Sequence, residues 1–122
     1  MLAKSKTYQH GLLAERLAGA VLRLKGYRII SQRLKTPVGE IDLVAKRGKT
    51  LVIAEVKQRR TTAEAAAAIS VRQRERLVMA ARFMLAQRPE LSDHTVRFDA
   101  ILVGRWWWPT HIESAWSDET TR

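Results

Sequence analysis

Three residues in the stretch GEIDLVAKRGKTLVIAEVKQRR, positions 39–60, have types and spacing that can do chemistry: Asp42, Glu55 and Lys57. Each lies inside a run of β-branched and aliphatic residues, where an unpaired charge is costly to bury. Glu55 and Lys57 are two apart, so in a strand their side chains leave the sheet on one face. Asp42 belongs to the preceding run. With a hairpin centred on Arg47 and Gly48, Asp42 faces Ile53 and Glu40 faces Glu55, which makes Asp42 and Glu55 diagonal neighbours with Cβ atoms about 7–8 Å apart. Two carboxylates at that spacing can converge on one divalent cation. Mg²⁺ accepts carboxylate and carbonyl oxygens together, so Asp42, Glu55 and the backbone oxygen of Val56 form a candidate metal shell. A lysine beside it can orient or deprotonate a water, or stabilise phosphate charge, as phosphodiester hydrolysis requires. The same residues also allow a structural reading, with Asp42 paired to Arg59 or Lys57 and Glu55 an ordinary edge carboxylate, or a non-catalytic anion site.

The elements that must position these side chains show in the hydrophobic periodicity. Residues 11–25 read as a helix with the stripe Leu13, Leu17, Ala20 and Leu24 and a stop at Gly26, and Glu15 lies at the border of that stripe. A strand follows over 27–34, and KTPVG breaks it. EIDLVA and TLVIAEVK, at 40–45 and 50–57, form an antiparallel hairpin joined by KRGK. From Glu64 to about Gln87 one helix is expected, its apolar face formed by Ile69, Leu77, Ala80, Ala81 and Met84, with Pro89 marking its end. VRFDAILV at 96–103 is a further strand, and THI after GRWWWP is a short strand-like piece before a polar tail. These elements make a single α/β domain of 122 residues with helices packed on a sheet.

The 22 Lys and Arg against 12 Asp and Glu leave a net charge of +10, which favours a polyanionic partner, most simply nucleic acid. Lys46, Arg47 and Lys49 cluster at the hairpin turn, Arg59 and Arg60 follow Lys57, and Arg72, Arg74 and Arg76 extend along the second long helix. Such residues contact successive phosphates and give salt-sensitive, backbone-dominated binding. With no cysteine, disulfide scaffolds, thiolate zinc sites and thiol catalysis are excluded. Charges at Glu15, Arg16 and Arg23 interrupt the N-terminal region, and no stretch reaches the apolar length of a membrane span, so a soluble cytoplasmic protein without membrane association is expected. His10, His94 and His111 are too far apart in sequence to suggest a compact metal site, and Asp99 reads as a structural acid with a basic partner. The run Trp106, Trp107, Trp108 suits core packing, a protein interface or a base-stacking platform. No phosphate loop, dinucleotide fingerprint or nucleophile elbow is present.

The ordered combination GEIDLVAKRGKTLVIAEVKQR, with GLLAERLAGAVLRLKGYRII upstream and RFDAILV and HIESAW downstream, resembles the YraN-like family of small bacterial proteins, predicted members of the restriction-endonuclease-like PD-(D/E)xK superfamily. The resemblance covers about residues 10–116. It implies a restriction-endonuclease-like core, a central mixed sheet flanked by helices, with Asp42, Glu55 and Lys57 as the superfamily's catalytic residues and Glu15 as its helix-borne acid near the metal or its waters. It also implies Mg²⁺- or Mn²⁺-dependent cleavage of DNA, branched or structured DNA by similarity to archaeal junction resolvases. A phosphate-directed basic site does not itself distinguish DNA from RNA, and a homodimer would place two sites on opposite strands, as paired incision of a symmetric junction requires. One departure is that Gln73 stands where the family has a lysine on the second long helix; glutamine can position phosphate or water but brings no charge. The competing expectation is a nucleic-acid-binding or assembly protein that retains the scaffold without catalysis.

Overall fold

In a computed structural model the described residues are 2–104 and 108–118, with side chains described from Gly11 onward. Trp106, Trp107 and the side chain of His10 lie outside them. In chain order the elements are α1 (Leu2–Leu24), β1 (Arg28–Lys35), β2 (Glu40–Arg47), β3 (Thr50–Gln58), α2 (Thr62–Ala67), α3 (Val71–Gln87), a 3-10 turn at Pro89–Leu91, β4 (Thr95–Val103) and β5 (Thr110–Trp116). The five strands form one sheet in sequence order. β1, β2 and β3 pair antiparallel, β3 and β4 parallel, and β4 and β5 antiparallel. A parallel pair needs a crossover, and the α2–α3 segment supplies it.

The sheet is covered on both faces. Ala14, Ala18 and Leu22 of α1 pack on Leu43, Val52, Ala54 and Ile101, while Leu77, Ala80, Ala81 and Met84 of α3 pack on Val44, Leu51, Ile53 and Phe98. Burial on both sides is why β3 reads as a continuous apolar run rather than an alternating one. This is the mixed sheet flanked by helices expected of a restriction-endonuclease-like α/β core.

Three local expectations are corrected. In α1 the buried face is Ala14, Ala18, Val21 and Leu22, whereas Leu13 and Leu24 are exposed at 52% and 76%. The small alanines face the sheet together with Leu22 and let the helix approach closely, while Leu13 and Leu24 stay outside. The single helix expected from Glu64 to Gln87 is two, broken at Ser70. The hydroxyl of Ser70 accepts a hydrogen bond from the Gln73 N–H at 3.1 Å, and that of Thr61 caps α2 by accepting from Glu64 N–H at 3.1 Å. Both caps follow the Ser/Thr-x-x-Glu/Gln pattern of helix starts. Finally, the hairpin turns at Gly48 and Lys49, with Arg47 paired to Thr50 and Leu43 to Ala54. Gly48 supplies the positive φ, +59°, that a two-residue hairpin turn of this kind demands at its first central position. Carried one step on, that register sets Asp42 level with Glu55, not with Ile53.

Candidate active site

The β2–β3 ladder ends at Leu43 and Ala54. Beyond it a side chain bridges the strands, since Asp42 Oδ2 accepts a hydrogen bond from the Val56 N–H at 2.8 Å. Glu55, only 2% exposed, projects from β3 toward α3, where Gln73 Nε2 donates to its Oε2 at 2.5 Å. Lys57 Nζ stands 3.8 Å from the same oxygen, an ion pair rather than a hydrogen bond. The carboxyls of Asp42 and Glu55 meet. Burial, then the hydrogen bond to Glu55 and its negative charge, push Asp42 from an ordinary 3.8 up to about 8, against the Val56 N–H and the Lys57 charge. The metal-free pair therefore holds a proton near neutral pH.

Glu15 reaches the same place from α1, on the opposite face of the sheet. Arg33 Nε donates to its Oε2 at 2.7 Å. Burial raises the Glu15 carboxyl above its ordinary value, aided by the charges of Asp42 and Glu40 and opposed by Arg33. Arg33 is set for this by an unusual backbone. Its φ is +50°, a left-handed conformation that costs a non-glycine residue about 1–2 kcal/mol, and pairings of Gln32 with Leu43 and Leu34 with Ile41 bracket it opposite Asp42. Strain of this kind gathers where surrounding structure holds a residue for a purpose.

Two cavities open on either side of these carboxylates. One, of about 700 Å³, lies along α1 and is lined by Glu15, Arg33, Asp42, Lys57, Arg59 and Arg60 among others. The other, of about 250 Å³, lies against α3 and includes Glu40, Asp42, Glu55, Lys57, Gln73 and Arg76. Asp42 and Lys57 line both. The structure thus gathers Asp42, Glu55, Lys57, Glu15, Gln73, Val56, Arg59, Arg60 and Arg76 at one end of the sheet.

The remaining basic residues lie elsewhere. Lys46, Arg47 and Lys49 are at the hairpin end, and six residues of extended strand, roughly 20 Å, separate Lys49 from Glu55. Arg47 donates to the Lys25 carbonyl at 2.8 Å and covers the Tyr27 ring at 4.3 Å, and Lys49 pairs with Asp93 at 2.6 Å. Arg72 is exposed, while Arg74 leaves α3 toward β5. Asp99 is fully buried among cationic and polar partners, accepting from Arg97 Nε and Nη2 at 2.9 Å each, from Ser114 N–H at 3.1 Å, and meeting His111 Nε2 at 2.7 Å. Arg33 carried no sequence signal, and Glu40, expected opposite Glu55, instead lines the cavity against α3. No local pattern marks Arg33, because its role comes from the strand opposite it. The Ser70-x-x-Gln73 start signal was present and locates Gln73 on the first turn of α3.

Among the described residues no group of three or more His, Cys, Asp or Glu side chains is arranged to hold a metal ion. The two-carboxylate donor set still fits Mg²⁺, which keeps several waters and takes one or two protein carboxylates. A cation there would replace the proton that the crowded Asp42–Glu55 pair otherwise holds.

Residues 14–103, from the buried face of α1 to the end of β4, match the model of a family described as the uncharacterised protein family UPF0102. The chain belongs to this family. Among its UPF0102 relatives, a UPF0102 protein of Parvibaculum lavamentivorans is 49% identical over 109 residues, covering 89% of this chain and 82% of its own. One from Azorhizobium caulinodans is 47% identical over 116 residues, covering 95% and 88%. Family and sheet architecture together are consistent with the restriction-endonuclease-like PD-(D/E)xK superfamily and give this UPF0102 chain a nuclease-like scaffold. Among the described residues no helix is long and apolar enough to cross a membrane.

Proposed function

We propose that this UPF0102 protein is a Mg²⁺- or Mn²⁺-dependent endonuclease that hydrolyses phosphodiesters in DNA, at branched or otherwise structured sites. The observation that carries this reading is the meeting of Asp42 and Glu55 where the β2–β3 ladder ends, beside a lysine that lines both cavities. A divalent cation held by Asp42 and Glu55 would supply stabilisation of charge developing on phosphate oxygens.

The protein's own groups divide the remaining work. Lys57, a quarter exposed, orients the attacking water or answers the phosphate charge. Gln73 fixes the rotamer of Glu55 through its amide N–H, a hold without charge. Glu15 holds Arg33 at the α1 cavity, so a guanidinium charge lines the approach to the carboxylates. Arg59 and Arg60 line the same cavity and add contacts that carry no sequence information. Hydrolysis breaks the bond between phosphorus and the 3′ oxygen, leaving a 3′-hydroxyl and a 5′-phosphate.

The test is cleavage of labelled four-way junction, flap, single-stranded and duplex DNA, with RNA counterparts, in Mg²⁺, Mn²⁺ or EDTA. Cutting that needs the metal and disappears in Glu55→Ala while binding persists supports the enzyme. The short Gln73–Glu55 hydrogen bond favours a second reading, a binding or assembly protein with an occupied carboxylate. Tight DNA binding without cutting, indifferent to Glu55→Ala, would establish that one.

A further inference from the structure

A separate groove of about 770 Å³ runs along the other side of α3, between Arg74 and Leu85 on the helix and Phe98 and Trp116 on the sheet. Its floor is apolar. Phe98 and Trp116 stack with ring centroids 5.9 Å apart, and the Arg74 guanidinium lies 6.0 Å from the Trp116 ring. A smaller cavity of about 130 Å³ shares Arg74, Ala115 and Trp116 with it. The other arginines of the groove are taken up, Arg82 by Asp118 and Arg97 by Asp99. Arg74 has no carboxylate partner among the described residues, and its Nε and the Trp116 Nε1 are buried donors without an acceptor there.

These features specify a ligand with a flat apolar body and an anionic group. A cation is repelled, and a neutral apolar molecule leaves the Arg74 donors unanswered. An extended peptide added to the β5 edge meets an obstacle at Ser114, whose φ of +51° accompanies a register break in the β4–β5 pairing. Position then favours nucleic acid. Arg74 directly follows Gln73, whose amide holds Glu55, so the carboxylate site and the groove lie on opposite sides of the first turn of α3. We propose that the α3–β5 groove binds an unpaired nucleotide of the substrate, its base over the apolar floor and its phosphate on Arg74. This rests on the phosphodiesterase reading above.

Fluorescence anisotropy in EDTA, where no metal-dependent cutting occurs, measures binding of labelled octathymidylate and of a matched duplex. Arg74→Gln should weaken the single strand roughly tenfold more than the duplex, the loss of one charge-assisted contact. Its salt slope on single strands should fall by about 0.7. Arg74→Lys should recover much of the affinity, and Ala115→Trp, which puts bulk into the groove beside Arg74 while leaving its charge in place, should again weaken the single strand selectively. The Trp116 indole N–H resonance should shift on titration with the oligonucleotide. Single-strand binding unchanged in both Arg74→Gln and Ala115→Trp would overturn the groove while leaving the phosphodiesterase reading intact. Failure of wild type to bind any nucleic acid would overturn both. An indole shift with dodecanoate and none with oligonucleotide would also overturn it, assigning the groove to an amphipathic carboxylate.

Discussion

Asp42→Asn separates what the acidic pair costs the fold from what it does for function. In the unfolded chain Asp42 loses its proton near the ordinary 3.8, but in the folded, metal-free protein it keeps it up to about 8. Between those values the folded state binds more protons than the unfolded one, so stability falls as pH rises. Each pH unit is worth up to about 1.4 kcal/mol, so between pH 5 and pH 8 the wild type should lose on the order of 4 kcal/mol through this group alone. Asparagine cannot ionise, yet its amide oxygen can still accept from the Val56 N–H. Asp93, Asp99 and Glu90 are all held below their ordinary values, so they are essentially ionised in both states across this window and add little slope. Urea unfolding in EDTA at several pH values, for wild type and Asp42→Asn, should show the variant gaining on the wild type steadily toward pH 8. Adding Mg²⁺ should restore the wild type and leave the variant unmoved. Parallel stability profiles for the two proteins in EDTA would refute the account of a proton shared under strain.

Arg33→Gly should be more stable than Arg33→Ala by about 1 kcal/mol, since glycine adopts the left-handed φ freely, yet both should lose cleavage; thermal unfolding and the junction assay read the two effects separately. Ser70→Ala removes the α3 cap at a cost of about 1 kcal/mol and should also lower cleavage by loosening the turn that carries Gln73, a double effect seen by pairing urea unfolding with turnover. Asp99→Ala should destabilise by roughly 3 kcal/mol, because it leaves the buried His111 side chain without its acid and the partly buried Arg97 with only its longer Glu113 contact. Burial tends to raise the Asp99 carboxyl, but hydrogen bonds from His111, Arg97 and Ser114 outweigh it and hold it below its ordinary value. Its stabilisation is therefore present above about pH 4 and lost as pH falls further, so acid titration by circular dichroism should show the wild type, not Asp99→Ala, losing this contribution.

Sequence by itself determined the strands that carry Asp42, Glu55 and Lys57, the break at KTPVG and the helical character on either side of them. Those features are written in period and turn chemistry, which act over a few residues. Three local signals were present but underused: Gly48 as the first turn residue, and the Thr61 and Ser70 caps, which divide the second helical stretch and locate Gln73. Tertiary structure alone decided the rest. Ala14 and Ala18, with Leu22, took the face toward the sheet while Leu13 and Leu24 were left exposed, because small side chains let the helix approach closely. Arg33 acquired its partner and its left-handed backbone from its position opposite Asp42 and beneath Glu15, residues 9 and 18 positions away. The hairpin cations, close to the acids in sequence, were carried to the opposite end of the sheet because an extended strand converts a few residues into a long distance.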